Sequence, residues 1–264
     1  MPREHGAWGI LLVPLIAGAS AGLLAGGSAG GLAPFLLVVL SLFWLRTPIE
    51  SWIGAGPIRV RTREEVTVVR RTVVLLAMAA AGALMWLFWG GRNHGLVWVG
   101  CAAGSAFLIQ AAVKWSYPGA RTAAQMAGAA GLTSTAPAAY YLVTGRWDTA
   151  AWSLWAANLL FAVNQIHFVQ LRIRAARAAS RKQKLALGWG FLVGQAVLVA
   201  AIAAACAARV FPWYAAPAFV PLLMRGFVWF LCAPKPLAIH ALGKRELLYD
   251  CVFGVLLVAG MVPR

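Results

Sequence analysis

Nine stretches of this chain are each long and apolar enough to cross a lipid bilayer, and that restricts its folds more than any other feature does. They cover about 7–26, 32–50, 69–90, 95–114, 123–144, 148–171, 186–208, 210–232 and 245–262. A bilayer core takes roughly 20 predominantly apolar residues per helix. Two of the windows are shortened or interrupted by Pro or polar residues. With 62% hydrophobic and 11% charged residues in a chain of 264, a water-soluble domain would be left with exposed apolar patches that aggregate. The fold class expected is therefore all-α: a polytopic membrane bundle of about nine transmembrane helices. It forms one integral membrane domain over 1–264, with no soluble module and almost no linker.

The first window follows Arg3-Glu4-His5, an unusual flank for a secretory signal. The small residues Gly18-Ala19-Ser20-Ala21 would suit a cleavage site. However, Glu4 lies where a signal carries bare positive charge, the apolar run continues to Ala25, and eight further windows follow. The segment reads as a retained first helix. A net charge of +16 would suggest nucleic acid in a soluble protein, but no nucleic-acid motif accompanies it and its distribution has another explanation. With the N-terminus inside, only Arg92, Arg146, Arg209 and Arg264 fall on outer segments and only Arg225 within a span; the rest of the 23 basic residues lie on inner segments. By the positive-inside rule the N-terminus is cytoplasmic and the C-terminus outside. Cys101, Cys206, Cys232 and Cys251 fall in apolar windows without CxxC spacing, so they read as small packing residues rather than a zinc site or disulfide framework.

Polar residues gather towards the inner side. The sixth window carries Asn158, Gln165 and Arg172 seven apart on one helical stripe, with Asn164 and His167 three apart on a neighbouring one and Arg174 beyond. Amides and imidazoles at that depth need partners, because lipid offers none. They read either as the polar wall of a cavity open to the cytoplasm, or as interhelical hydrogen bonds with Arg residues reaching the head groups. Glu246 and Asp250 stand at i and i+4, so one helix face presents both. That spacing suits Mg²⁺ or an ion pair. The structural alternative has Glu246 favouring a helix N-terminus and Asp250 paired with Arg225. Arg3, His5, Arg46, Glu50, Lys114 and Arg121 complete the inner-face set from which a ligand site would be drawn. No Ser-His-Asp, HExxH, Walker or GxGxxG pattern occurs in a usable context, so no catalytic residue, metal or cofactor is assigned.

REHGAW at 3–8, VKWSYPGARTAAQMAGAAGLTSTAPAAYY at 113–141, LWAANLLF at 154–161 with the tail HFVQLRIR, and GKRELLYD at 243–250 together resemble the YwiC-like family of bacterial membrane proteins. A more distant resemblance is to the UbiA superfamily of intramembrane prenyltransferases. It rests on nine helices, on long inner loops after the second and sixth, on Arg3, Gly9, Leu11, Leu12 and Pro14 in the first helix, and on Tyr117, Pro118, Arg121, Thr122, Gln125, Gly128 and Gly131. That resemblance implies a UbiA-like fold and an isoprenyl diphosphate held on Mg²⁺ by two Asp-rich motifs. Here the first of those places reads LRTPIESWIGAG, with Glu50 its only acid, and the second reads NQIHFVQLRIRAARAASRKQK, with none. Arg46, Arg172 and Arg174 suit direct phosphate binding instead. The resulting expectation is a protein that binds an anionic membrane lipid or isoprenoid phosphate in a cytoplasm-facing polar cavity without the Asp–Mg site. A divergent prenyltransferase using Glu50, Glu246 and Asp250 is the second reading. A transporter with Gly- and Pro-interrupted spans is the third.

Overall fold

The computed structural model describes residues 5–52, 62–89, 94–117, 119–176, 178, 180–232 and 237–261. Those residues form ten α-helices and two 3₁₀ segments, and no strand occurs among them. The all-α expectation holds, and each of the nine apolar windows is mainly helical over its described residues. Six helical stretches are long and apolar enough to cross a membrane: Gly6–Leu24, Ala29–Trp52, Arg63–Trp89, Gly95–Ser116, Arg181–Ala207 and Trp213–Leu231. The chain is a multi-pass membrane protein.

It divides into two compact units. The first, within residues 28–94, is built on α2 (Leu32–Trp52) and α3 (Arg63–Trp89), which pack along one another. Helix α2 buries Phe35, Val38, Val39 and Phe43, and α3 buries Ala80, Ala83 and Leu87. Those spacings draw one stripe per helix. Helix α3 opens with a reciprocal cap: the Glu65 N–H donates to Thr62 Oγ1 (3.2 Å) and the Thr62 N–H donates to Glu65 Oε2 (3.1 Å). Two of the four orphan donors of that helix end are thereby satisfied.

The second unit contains α1 (His5–Leu24), α4 (His94–Ser116, from Gly95 on), α5 (Arg121–Thr133), α6 (Thr135–Thr144), α7 (Thr149–Ala175), α8 (Arg181–Ala207), α9 (Val220–Leu231) and α10 (Ile239–Met261). Helix α7 is its axis and packs against α1, α5, α6, α8 and α9. Its first turn is fixed by Asp148, whose Oδ1 accepts from the Ala150 and Ala151 N–H groups (3.0 and 3.3 Å) while Oδ2 accepts from the Tyr140 hydroxyl (3.2 Å). Around α7 sit Leu154, Phe161, Phe219, Leu222, Phe253 and Leu257, all fully buried or nearly so. The Phe161 and Phe253 rings stack at 4.2 Å between centroids. Helix α1 lies close on α6 because Gly18 has no side chain: a Cβ there would overlap the Ala136 backbone. Close approach through small residues is the usual way membrane helices gain packing energy.

The window 123–144 is a broken helix rather than a continuous one, interrupted at Ser134. Three consecutive hydroxyls turn back onto backbone carbonyls there: Thr133 onto Ala129 (2.8 Å), Ser134 onto Gly131 (2.6 Å) and Thr135 onto Leu132 (2.8 Å). Pro137 follows without an N–H, so the helical ladder loses a donor at the same place. Thr135 also donates to the Leu11 carbonyl on α1 (3.1 Å), which anchors the break to a neighbouring helix. The cysteines depart from expectation as well. Cys101, Cys232 and Cys251 lie exposed on helix surfaces, and Cys206 alone is half-buried and packs against the core.

Candidate functional site

The polar residues of the second unit converge on one seam, built from the C-terminal half of α7, the start of α8, α9 and the first half of α10. Arg225 supplies its centre. It is 9% exposed, and its Nη1 donates to Glu246 Oε2, a buried ion pair across α9 and α10. The guanidinium lies over the Phe168 ring, 4.2 Å from the centroid, and near Tyr249 at 4.9 Å. The ring quadrupoles favour a cation in that position. On α7, Gln165 Nε2 donates to the backbone carbonyl of Glu246 (3.3 Å) and ties the third helix to the pair. One turn further along α10, Asp250 is 1% exposed. A second bridge lies on the other side of α7, where Asn164 Nδ2 donates to Gln195 Oε1 on α8 (3.2 Å).

Glycines seat these polar groups. A Cβ on Gly9 of α1 would overlap the Asp250 carboxyl, and one on Gly226 of α9 would overlap the Gln195 amide. At both sites the polar side chain lies flat against a neighbouring backbone. Even so, several buried polar atoms have no hydrogen-bond partner: Asn164 Oδ1, Gln165 Oε1, Gln195 Nε2, Arg225 Nε and Nη2, and Asp250 Oδ2. Inside a membrane bundle such atoms are costly.

At the end of the seam where α7 stops and α8 begins stands a group of cations. Lys184 is 3% exposed; its Nζ donates to the carbonyls of Trp229 and Cys232, closing the C-terminal end of α9, and lies 4.3 Å from the Trp229 ring centroid. Arg172, half-buried in the last turn of α7, is near enough to Lys184 and to Glu246 to interact with both, and Arg181 also reaches Lys184 electrostatically. Arg174 is exposed, with its Nε donating to the Gln170 carbonyl (3.4 Å).

Of the residues singled out by sequence, the seam therefore brings together Asn164, Arg172, Glu246 and Asp250. His167 lies beside it, edge-on to Phe191 at 5.3 Å, over Gly194, where a Cβ would crowd its Nδ1. The partner of Arg225 is Glu246 rather than Asp250, so the ion pair sits one turn earlier on α10 than the structural alternative placed it. Arg46 and Glu50 belong to the first unit and pair with each other one helical turn apart (3.0 Å). Lys114 is exposed at the end of α4. His5 and Arg121 open α1 and α5, their side chains outside the described set, and Arg3 lies outside the described residues altogether. Among the described residues no third His, Cys, Asp or Glu joins Glu246 and Asp250. Gln195 and Lys184 were not among the expected site residues. Gln195 had a signal: it is the lone amide in GWGFLVGQAVLVAA, and a lone amide in such a run needs a partner on another helix. A small apolar crevice lined by Ser153, Leu160, Ile202 and Phe219 among others lies near the opposite end of α7 and shares no residue with the seam.

The family model described as "YwiC-like protein" matches residues 1–140, more than half of the chain. No curated protein and no solved structure matches it.

Proposed function

The chain belongs to the YwiC-like family, and from that premise we propose that it is a multi-pass protein of the bacterial inner membrane, N-terminus cytoplasmic and C-terminus outside, that binds the phosphate of an anionic lipid or an isoprenoid phosphate at the cytoplasmic mouth of a polar cavity. One observation carries this reading: Arg172, Arg181 and Lys184 share an electrostatic neighbourhood where α7 ends and α8 begins, and Glu246, an acid that Arg172 reaches electrostatically, is already paired with Arg225. A phosphate suits the remaining positive charge, because guanidinium and ammonium groups donate charge-assisted hydrogen bonds to it. The N-terminus of α8, capped by Ser180 Oγ (3.2 Å from the Gln183 nitrogen), adds the positive end of a helix dipole. Lys184 is held by the α9 carbonyls, which leaves Arg172 and Arg181 as the recognition groups.

Purified protein in nanodiscs, titrated with a polyprenyl phosphate, with phosphatidylglycerol and with inorganic phosphate, tests this by native mass spectrometry. Arg172→Ala is expected to weaken retention of the lipid phosphate about tenfold, the loss of one charge-assisted contact. Inorganic phosphate retained as well as the lipids would assign the site to a free anion. Retention unchanged in both Arg172→Ala and Arg181→Ala would remove the proposal.

A further inference from the structure

The Gln165–Arg225–Glu246–Asp250 cluster has more acid than base. Arg225 is the single cation bonded inside it, and its bonded partner is Glu246. Among the described residues Asp250 is as deeply buried as any polar group apart from Thr133 and Gln195, and its Oδ2 has no hydrogen-bond partner. The neighbours of Asp250 can be named element by element. On α10 itself the titratable groups are Glu246 one turn before it and the adjacent Tyr249. From α9 comes Arg225, committed to Glu246. From α7 come the neutral Gln165 and, near Glu246, Arg172. Helix α1 presents Gly9, whose backbone presses on the carboxyl. The 3₁₀ segment Trp213–Phe219 contributes Tyr214, at the level of Gly260. None of these gives the Asp250 carboxylate a cation of its own, and an uncompensated charge in a dry membrane interior is among the least favourable arrangements known for proteins.

Gln165 points to how this is resolved. It is 3% exposed, its Nε2 is committed to the Glu246 carbonyl, and its Oε1 is an unpartnered acceptor. The same amide lies within hydrogen-bonding reach of the Asp250 carboxyl. A proton on Asp250 makes its carboxyl a donor, and Gln165 Oε1 is a buried acceptor still open to one.

We infer that Asp250 is a proton-binding site of the bundle: its carboxylate takes up one proton to become a neutral acid whose O–H donates to Gln165 Oε1, while the Arg225–Glu246 pair remains intact. The site stands on side chains other than the proposed phosphate contacts and does not depend on them. Loss of the proton places a bare carboxylate against Gly9, so α1 is the element set to respond.

Infrared difference spectroscopy on the full-length protein in nanodiscs tests this. Wild-type protein near neutral pH is expected to show the carbonyl stretch of a protonated carboxylic acid, sensitive to H₂O/D₂O exchange. The band declines as pH is raised and returns when it is lowered. Labelling with carbonyl-¹³C aspartate shifts it. The chain has only two aspartates, Asp148 and Asp250, so loss of the band in Asp250→Asn assigns it to one residue. The band is lost in Asp250→Asn, an isostere of the protonated acid. A wild-type spectrum without an aspartate-sensitive band overturns the inference with no variant needed. So does a band that never titrates in folded protein, or one that persists in Asp250→Asn.

Discussion

Helices α4 and α7 are close in length, 23 and 27 residues, and opposite in what they bury. Helix α4 meets every compositional demand of a membrane span, yet only 6% of its span window is buried in the protein. Trp98, Leu108 and Trp115 stand 76%, 68% and 88% exposed. Helix α7 carries Asn158, Asn164, Gln165, His167 and Gln170, is not apolar enough to count among the six spans, and buries Asn158, Asn164 and Gln165 together with Leu154, Phe161 and Leu171. In water this pairing would be paradoxical, since burial follows apolarity. In a bilayer the solvent is itself hydrocarbon. An apolar face then gains little by leaving the lipid for the protein, whereas an amide must find protein partners. Between these two helices polarity, not hydrophobicity, marks the one that lies inside, and α10 with Glu246 and Asp250 buries its polar groups in the same way.

The comparison is broken or sharpened first at Arg225. Replacing it by Ala leaves Glu246 and Asp250 buried with no bonded cation, and removal of one partner of a buried pair costs about 3–5 kcal/mol. Thermal unfolding in detergent is expected to show Arg225→Ala as the most destabilised variant of the set. Arg225→Met combined with Glu246→Met recovers most of the loss, because it removes both charges. A single variant as stable as wild type would mean that the seam is not the organising centre.

Glycines sharpen the contrast next. Gly9 faces the Asp250 carboxyl with no room for a methyl group, whereas Gly100 on α4 has no atom within 4 Å of where its Cβ would lie. Gly9→Ala forces α1 and α10 apart, an overpacking cost of about 1–3 kcal/mol. Gly100→Ala is expected to stay within about 0.5 kcal/mol of wild type, with any change favourable through better helix propensity. Parallel unfolding curves for the two variants decide it, and equal effects would erase the distinction between the helices.

How much of this was legible beforehand follows from the same physics. The windows are visible because a bilayer demands a run of a given length, a one-dimensional property. The break at Ser134 was not anticipated, although Thr133-Ser134-Thr135 and Pro137 were in view; each hydroxyl has several acceptors open to it, and only the packed structure selects the local carbonyls. For the site, the sequence could place Glu246 and Asp250 on one face but could not choose which of them meets Arg225. That choice depends on the axial offset between α9 and α10, set by Pro212, Pro217 and Pro221 and the 3₁₀ segment that they accompany. Asn164 was identified and its partner Gln195 was not, because the partner of an amide lies on whichever helix happens to pack there.

The smallest effect is expected where the sequence looks most hydrophobic. Trp98 and Leu108 are among the bulkiest apolar side chains of α4, and in a soluble protein truncating such groups in a core costs about 2–5 kcal/mol. Here both are exposed, and the unfolded helix in a bilayer also has lipid around them, so little transfer free energy separates the two states. Leu108→Ala is expected to shift stability by no more than about 0.5 kcal/mol, whereas Leu154→Ala on α7, at 0% exposure, opens a cavity that lipid does not fill and costs about 2–5 kcal/mol. Unfolding of the two variants in the same nanodiscs separates them. A loss at Leu108 comparable to that at Leu154 would show that α4 is covered in the working protein, and the rule drawn from α4 and α7 would no longer describe that face.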